Sequence, residues 1–139
     1  MAKRFSTSRM ISFGDCDPAQ IVYYPRFFEM FDRNTENMFR FRGVYWEKLH
    51  EDSEYSGMPL LDVHANFKVR VTMGQTIEIQ TWIDEFRGKT FVVRHELYNG
   101  DVLCCEGREL RAYVIRDSNA KAGVRAVPMP DDLKAKLTG

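Results

Sequence analysis

Two aspartates separated by one residue stand in Gly14-Asp15-Cys16-Asp17-Pro18-Ala19, and Ile21-Val22-Tyr23-Tyr24-Pro25 follows almost at once. The Gly, Asp and Pro content of the first segment marks a loop. Pro25 suits the first position of a helix, where its missing N–H costs nothing. The residues ahead of it, Val22, Tyr23 and Tyr24, include no Ser, Thr, Asp or Asn that could cap the helix with a side-chain oxygen. The first N–H groups of that helix are therefore open to another partner. Donors at a helix N-terminus stabilise an oxyanion, and a carboxylate beside them can attack a carbonyl or activate water. On spacing alone the plainer alternative carries more weight: Asp15 and Asp17 as turn residues that bond nearby backbone.

Other chemistries find less support. Cys16 could be a nucleophile with His64 as its base, but a small buried residue is the ordinary role of such a cysteine. There is no G-x-S-x-G elbow, Walker A loop, G-x-G-x-x-G, H-E-x-x-H or paired C-x-x-C. The histidines, His50, His64 and His95, lie far apart, which gives a zinc site no local support. Lys plus Arg and Asp plus Glu are both 20, so the net charge is zero, which argues against a dedicated nucleic-acid binder. Cys16, Cys104 and Cys105 are an odd set with one adjacent pair, a poor disulfide framework that fits a reducing cytoplasm. No apolar run approaches the ~18 residues of a membrane helix. Met1-Ala2-Lys3-Arg4 is basic but no apolar stretch follows, so it does not read as a secretory signal.

The elements that must hold these residues follow from periodicity. At 139 residues the chain is long enough for one domain, residues 1–139, with its own core. Phe5 to Phe13 reads as a short strand. Tyr24, Phe27, Phe28, Phe31, Thr35, Met38 and Arg42 fall at three- and four-residue steps, which predicts an amphipathic helix. From Tyr24 to Arg42 it would run roughly 28 Å, and Gly43 can stop it. Val44 to His50 adds a short helical turn. Val63, Ala65, Phe67, Val69 and Val71 then alternate with polar residues, a half-buried strand. Further strands run from Thr76 to Glu85, Lys89 to Tyr98 and Val102 to Arg116, where Gly107 can introduce a bend. Asn99-Gly100-Asp101 is a hairpin signal. Pro128 and Pro130 lead into a short C-terminal helix that starts with Asp131 and Asp132. A strand, a long helix and then four strands in hairpin succession predict α+β with an antiparallel sheet curled around the helix, the hotdog arrangement.

The stretch from Gly14 to Pro25 resembles the signature of the 4-hydroxybenzoyl-CoA thioesterases, which are hotdog-fold acyl-CoA hydrolases. The resemblance continues through Asp32, Asn66-Phe67, Arg87, Lys89 and Phe91-Val92 to Arg125-Ala126 and Pro128. It implies an acyl-CoA thioesterase for an aromatic or other small acyl group, with no cofactor beyond the coenzyme A of the substrate. It gives Asp17 the role of nucleophile or general base and the backbone N–H of Tyr24 that of polarising the thioester carbonyl. Asp32 would lie near the acyl end, where His64 and Trp46 also serve as candidate substrate contacts. Arg87, Lys89 and Arg125 would bind the nucleotide and phosphates of coenzyme A, a task suited to cations. A branch of the family associated with the Tol-Pal system carries His where this chain has Tyr24, so Tyr24 points to the aromatic-acyl type. Three residues depart from the family pattern: Gln20 replaces a Gly, Gly88 interrupts a basic run, and His64 replaces an Asn. The resemblance also implies a homodimer with sheets joined edge to edge and a shared pocket, or a tetramer built as a dimer of dimers. A hotdog dehydratase and an acyl-CoA-binding module without turnover are the competing functions.

Overall fold

The computed structural model describes residues 3–139; Met1 and Ala2, the start of the basic N-terminal run, lie outside them. The chain runs as β1 (Phe5–Met10), a turn of 3-10 helix (Phe13–Asp15), α1 (Pro25–Phe41), α2 (Trp46–Asp52), β2 (Tyr55–Gly57) and β3 (Leu60–Phe67). It continues through β4 (Thr76–Arg87), β5 (Thr90–Asn99), β6 (Val102–Ala112), β7 (Val114–Arg116), β8 (Val124–Ala126) and α3 (Asp131–Thr138). A five-stranded antiparallel sheet in the order β1-β4-β5-β6-β3 packs against α1, and β2-β7-β8 form a small second sheet. This is the hotdog arrangement expected from the element order. No helix among the described residues is long and apolar enough to cross a membrane.

Helix α1 buries Phe27, Met30, Phe31, Asn34, Thr35, Met38 and Phe39. The stripe is rotated from the expected one: Tyr24 is 60% exposed, and Met30 and Phe39 take the inward positions. Pro25 opens the helix as expected. Gly43, at φ +82°, ends it in the left-handed conformation that glycine adopts without a Cβ penalty.

The core falls into two apolar clusters with a polar layer between them. One gathers around Phe31, Ile77, Leu97 and Cys105. The other gathers around Met38, Phe39, Ile83, Val93 and Tyr113. Between the clusters four elements place buried polar residues: Asn34 and Thr35 on α1, Thr81 on β4, His95 on β5, and Glu109 and Arg111 on β6. They bond one another across the interior. Asn34 Nδ2 donates to Thr81 Oγ1 (2.7 Å), Thr81 Oγ1 lies 2.7 Å from His95 Nδ1, and Thr35 Oγ1 donates to Glu109 Oε1 (2.5 Å). Buried polar groups persist when each finds such a partner.

Three expectations are corrected. The strand predicted from Val63 to Val71 stops at Phe67, because the N–H groups of Lys68 and Val69 both turn to Cys104 O (2.9 and 3.1 Å) and bend the chain out of the ladder. The four strands are not in hairpin succession. Only β4-β5-β6 are, while β3 pairs with the far side of β6 and β1 takes the place beside β4. The last long strand breaks at the buried Tyr113, not at Gly107. Gly107 stays in the strand because Phe31 needs its space: a Cβ there would meet the Phe31 ring at 2.5 to 2.8 Å. The three-residue strands β2 and β8 are too short to show alternation in the sequence.

Two substitutions test this account. Gly107→Ala should lower stability by about 1–3 kcal/mol, as overpacking does, and Phe31→Leu in the same chain should recover part of the loss in a thermal melt. Gln20 is the one non-glycine residue among those described with positive φ, at +64°. Gln20→Gly should raise stability by about 0.5–1 kcal/mol by removing the Cβ clash of the left-handed conformation; urea titration reads the change.

Candidate active site

The loop between β1 and α1 is built around Asp15. Its carboxylate is buried and accepts from Ser12 N–H (3.0 Å), Ser12 Oγ (3.2 Å) and Arg9 Nη2. Burial pushes this carboxyl up, but the Ser12 N–H and the Arg9 guanidinium outweigh it and hold it below the usual range. Its backbone carbonyl accepts from Tyr23 N–H (2.9 Å). Asp15 is thus the turn residue of the pair, tying the loop to the entry of α1.

Asp17 is differently placed. It is half-buried, and its Oδ1 accepts from Ala19 N–H (2.9 Å), the local turn that Asp favours. Its N–H donates to Ile21 O (3.0 Å) and its carbonyl accepts from Gln20 N–H (2.9 Å). The second carboxylate oxygen, Oδ2, has no hydrogen-bond partner among the described residues. The left-handed Gln20 closes this turn, which explains why a glycine would suit the position. Asp17 borders a cleft of about 300 Å³ with Phe13, Cys16, Pro18, Gln20 and Met73. The next residue, Ile21, begins the wall of a second cleft of about 280 Å³, which also takes in Tyr24, Phe27, Phe67 and Val69.

Tyr24 stands at the head of α1, which has no side-chain cap. The Tyr24 N–H donates to no acceptor among the described residues, and Pro25 has no N–H at all. One uncommitted backbone donor at the positive end of a 17-residue helix therefore opens beside an apolar cleft. Cys16, between the aspartates, hydrogen-bonds Ser12 O. Burial and the charges of Asp15 and Asp17 push its thiol up, which suppresses the thiolate a nucleophile needs.

The other candidates lie elsewhere in the chain. His64 points to the outer face of the sheet, where it lines a cleft of about 160 Å³ with Asn66, Arg94 and Arg108, away from both Cys16 and α1. Asp32 is exposed on α1 and ion-paired to Arg111 at 2.7 Å. Trp46 opens α2, packs edge-on against Phe39, and lines a cleft of about 450 Å³ with Tyr55, Met58 and Val114. Arg87 ends β4 beside Glu85, Lys89 follows in the β4–β5 turn, and Arg125 pairs with Asp117 at 2.8 Å on β8. Gly88, at φ +55°, occupies the position in that turn which its conformation demands. β4 is 12 residues long and starts beside Met10, just ahead of the Asp17 loop. Its length places Arg87 roughly 35 Å further along the sheet. The single chain thus joins Asp17 to Tyr24 but sets Trp46, Arg87, Lys89 and Arg125 at the opposite end.

Sequence reasoning missed Lys68 and Arg70, which flank the Tyr24 cleft, and the buried trio His95, Glu109 and Arg111. The trio did leave a signal. These residues fall on the inward positions of β5 and β6, where the alternation predicts apolar side chains.

The model of the thioesterase-like superfamily matches residues 11–137 of this chain. The chain is 31% identical over 138 residues to the 4-hydroxybenzoyl-CoA thioesterase of Pseudomonas sp. (strain CBS-3), covering 95% of this chain and 96% of that one. It is 21% identical to the 1,4-dihydroxy-2-naphthoyl-CoA hydrolase of Prochlorococcus marinus (strain MIT 9515), covering 91% and 83%. The crystal structure of a D17N variant of 4-hydroxybenzoyl CoA thioesterase complexed with 4-hydroxybenzoyl CoA superimposes with a TM-score of 0.87 at 27% identity, covering 98% of this chain and 99% of that one. Matched along almost its whole length in sequence and in fold, the chain belongs to the thioesterase-like superfamily and is a thioester hydrolase of the hotdog fold.

Proposed function

We propose that this acyl-CoA thioesterase hydrolyses an aromatic or other small acyl-CoA to the free acid and coenzyme A, with Asp17 as the reacting carboxylate. One observation carries the reading: Asp17 keeps one carboxylate oxygen uncommitted in the same short loop that delivers the uncommitted Tyr24 N–H. The N–H would hold the thioester oxygen as negative charge builds on it. Asp17 then acts in one of two ways. As nucleophile it attacks the carbonyl carbon, the C–S bond breaks, coenzyme A leaves as thiolate, and water hydrolyses the resulting anhydride. As general base it takes a proton from the water that attacks. The relatives named for 4-hydroxybenzoyl-CoA and 1,4-dihydroxy-2-naphthoyl-CoA support an aromatic acyl group.

The separation of the two ends supports a site shared between copies. Among the described residues β3 pairs only with β6 and its other edge carries no strand; six of its eight residues are exposed. An open edge invites pairing with another chain. Two β3 edges joined antiparallel about a two-fold axis reverse one sheet relative to the other. The end that carries Trp46, Arg87, Lys89 and Arg125 in the second copy then lies alongside the Asp17 loop of the first. In that dimer, or in a pair of such dimers, Arg87, Lys89 and Arg125 serve the phosphates of coenzyme A. His64, on the outer face, contributes to substrate binding only if the assembly folds a second surface over it.

Release of free thiol across an acyl-CoA panel tests the activity. Wild type should turn over aromatic thioesters, and Asp17→Asn should keep the fold but lose roughly a thousandfold in kcat, about 4 kcal/mol of barrier. Near-normal turnover in purified Asp17→Asn would remove Asp17 from the chemistry. Binding of acyl-CoA without thiol release by wild type would make the protein a carrier.

A further inference from the structure

We propose that the acyl group this enzyme accepts carries a carboxylate, and that Lys68 and Arg70 on the rim of the Tyr24 cleft select for it. This rests on the reading that the Tyr24 N–H holds the thioester carbonyl.

The cleft of about 280 Å³ at the head of α1 has apolar walls and a basic rim. Tyr24, Phe27, Phe67 and Val69 line it together with Lys68 and Arg70. The bend that ends β3 puts the two cations there. Past Phe67 the chain leaves the ladder and lies against the Asp17 loop. Val22 N–H donates to Val71 O (2.9 Å), and Met73 N–H donates to Gln20 O (3.1 Å). The backbone that carries the cations is thus bonded to the backbone that delivers the Tyr24 N–H, which is the support a binding site requires.

Neither cation is tightly held by the protein. Arg26, Arg94 and Arg125 each hold a carboxylate, at 2.9, 2.9 and 2.8 Å. Arg70 makes no ion pair or side-chain hydrogen bond among the described residues. Lys68 Nζ comes only to 4.0 Å from Glu106, beyond hydrogen-bond distance, and the two side chains are 40% and 44% exposed. Such a pair contributes little stability. The loop across the cleft carries the opposite sign. Arg9 neutralises Asp15, whereas Asp17 makes no ion pair among the described residues. An anionic acyl group would meet the Asp17 charge, and like charges repel. Two cations on the rim offset that repulsion and favour an anion over a neutral acyl group.

Reach separates an acyl carboxylate from the phosphates of coenzyme A. A cleft of 280 Å³ is roughly 8 Å across. The pantetheine arm sets about 13 bonds between the sulfur and the first phosphate, roughly 15 Å when extended. With the thioester at Tyr24, an extended arm carries the phosphates out of this cleft, while a carboxylate on the far side of a single ring stays within it. The aromatic walls fit such a ring: Phe27 and Phe67 have centroids 5.3 Å apart.

The test compares acyl groups that differ in charge and little in shape: 4-carboxybenzoyl against 4-carbamoylbenzoyl, and the matching 3-substituted pair. Each is offered as its coenzyme A thioester and as its pantetheine thioester, which carries no phosphate. Wild type should favour the carboxylate in at least one pair by about tenfold in kcat/KM, with either carrier, as a charge-assisted hydrogen bond allows. The ratio should shrink in about 0.5 M salt. It should fall to near unity in Lys68→Gln/Arg70→Gln and invert in Arg70→Glu. Both side chains are exposed, so thermal melts should match wild type. No preference in wild type, or one that the double variant keeps, would overturn the proposal. So would an equal loss for both acyl groups in the double variant that appears with coenzyme A and not with pantetheine, which would assign the cations to the phosphates. In each of these cases thioester hydrolysis would stand. If wild type releases no thiol, the hydrolytic reading falls, and calorimetry with the 4- and 3-substituted carboxybenzyl and carbamoylbenzyl thioethers of coenzyme A decides the subsite. Tighter binding of a carboxylate, lost in the double variant, would sustain it; equal affinities would overturn it.

Discussion

The buried carboxylate of Glu109 ties the helix to the sheet. It accepts from Thr35 on α1, from Arg111 on its own strand and faces His95 on β5. Apolar side chains on either side of this layer supply most of the burial free energy, but contacts of that kind are non-directional and would tolerate some sliding of the helix. Hydrogen bonds in a dry interior do not. With Thr35 and Asn34 committed to fixed partners on the sheet, the rotation and height of α1 are set. The uncapped head of α1, with its uncommitted Tyr24 N–H, inherits that setting.

At the head of α1 two kinds of aspartate do two jobs. Asp15 is bonded by Ser12 and Arg9 and anchors the loop; the Asp17 carboxylate accepts one bond, and its Oδ2 has no partner among the described residues. The helix itself begins with a proline and no cap, so the fold leaves a donor uncommitted where most helices would bond it to a side chain. Hydrolysis of a thioester needs this pairing of an accepting carboxylate with a donating N–H. The cations proposed for a coenzyme A tail stand at the opposite end of the chain's fold, Arg87 and Lys89 at the β4–β5 turn and Arg125 on β8. The proposed dimer across the β3 edge would bring the two ends together with no rearrangement within either chain.

Much of this was legible in the residues. The Asp-x-Asp loop, Pro25 and the uncapped approach through Val22, Tyr23 and Tyr24 locate the helix head, and the three-four spacing from Phe27 to Met38 gives its length. Period-two alternation finds β4, β5 and β6. What the sequence hid has physical causes. The bend after Phe67 comes from two N–H groups sharing Cys104 O, a tertiary contact with no local signature. The sheet order, with β1 inserted beside β4, depends on which edges meet and not on the order of elements. Gly107 looked like a bend because the space it provides belongs to Phe31, 76 positions earlier in the chain. His95, Glu109 and Arg111 were visible as polar residues on inward positions, but their mutual pairing required three elements to come together.

The central claim is that one copy supplies Asp17 and Tyr24 while another supplies the cations for the same substrate. Mixed assemblies measure it most directly. Asp17→Asn is combined one to one with the triple variant Arg87→Ala/Lys89→Ala/Arg125→Ala, and thiol release is followed at low acyl-CoA concentration, where both parents are nearly inactive. If the site is shared, half of the random dimers are mixed and each holds one intact site, so activity should rise to about one quarter of wild type. Activity that stays at the mean of the two parents, with mixed dimers verified by mass spectrometry, would show that each chain builds its site alone and would contradict the account.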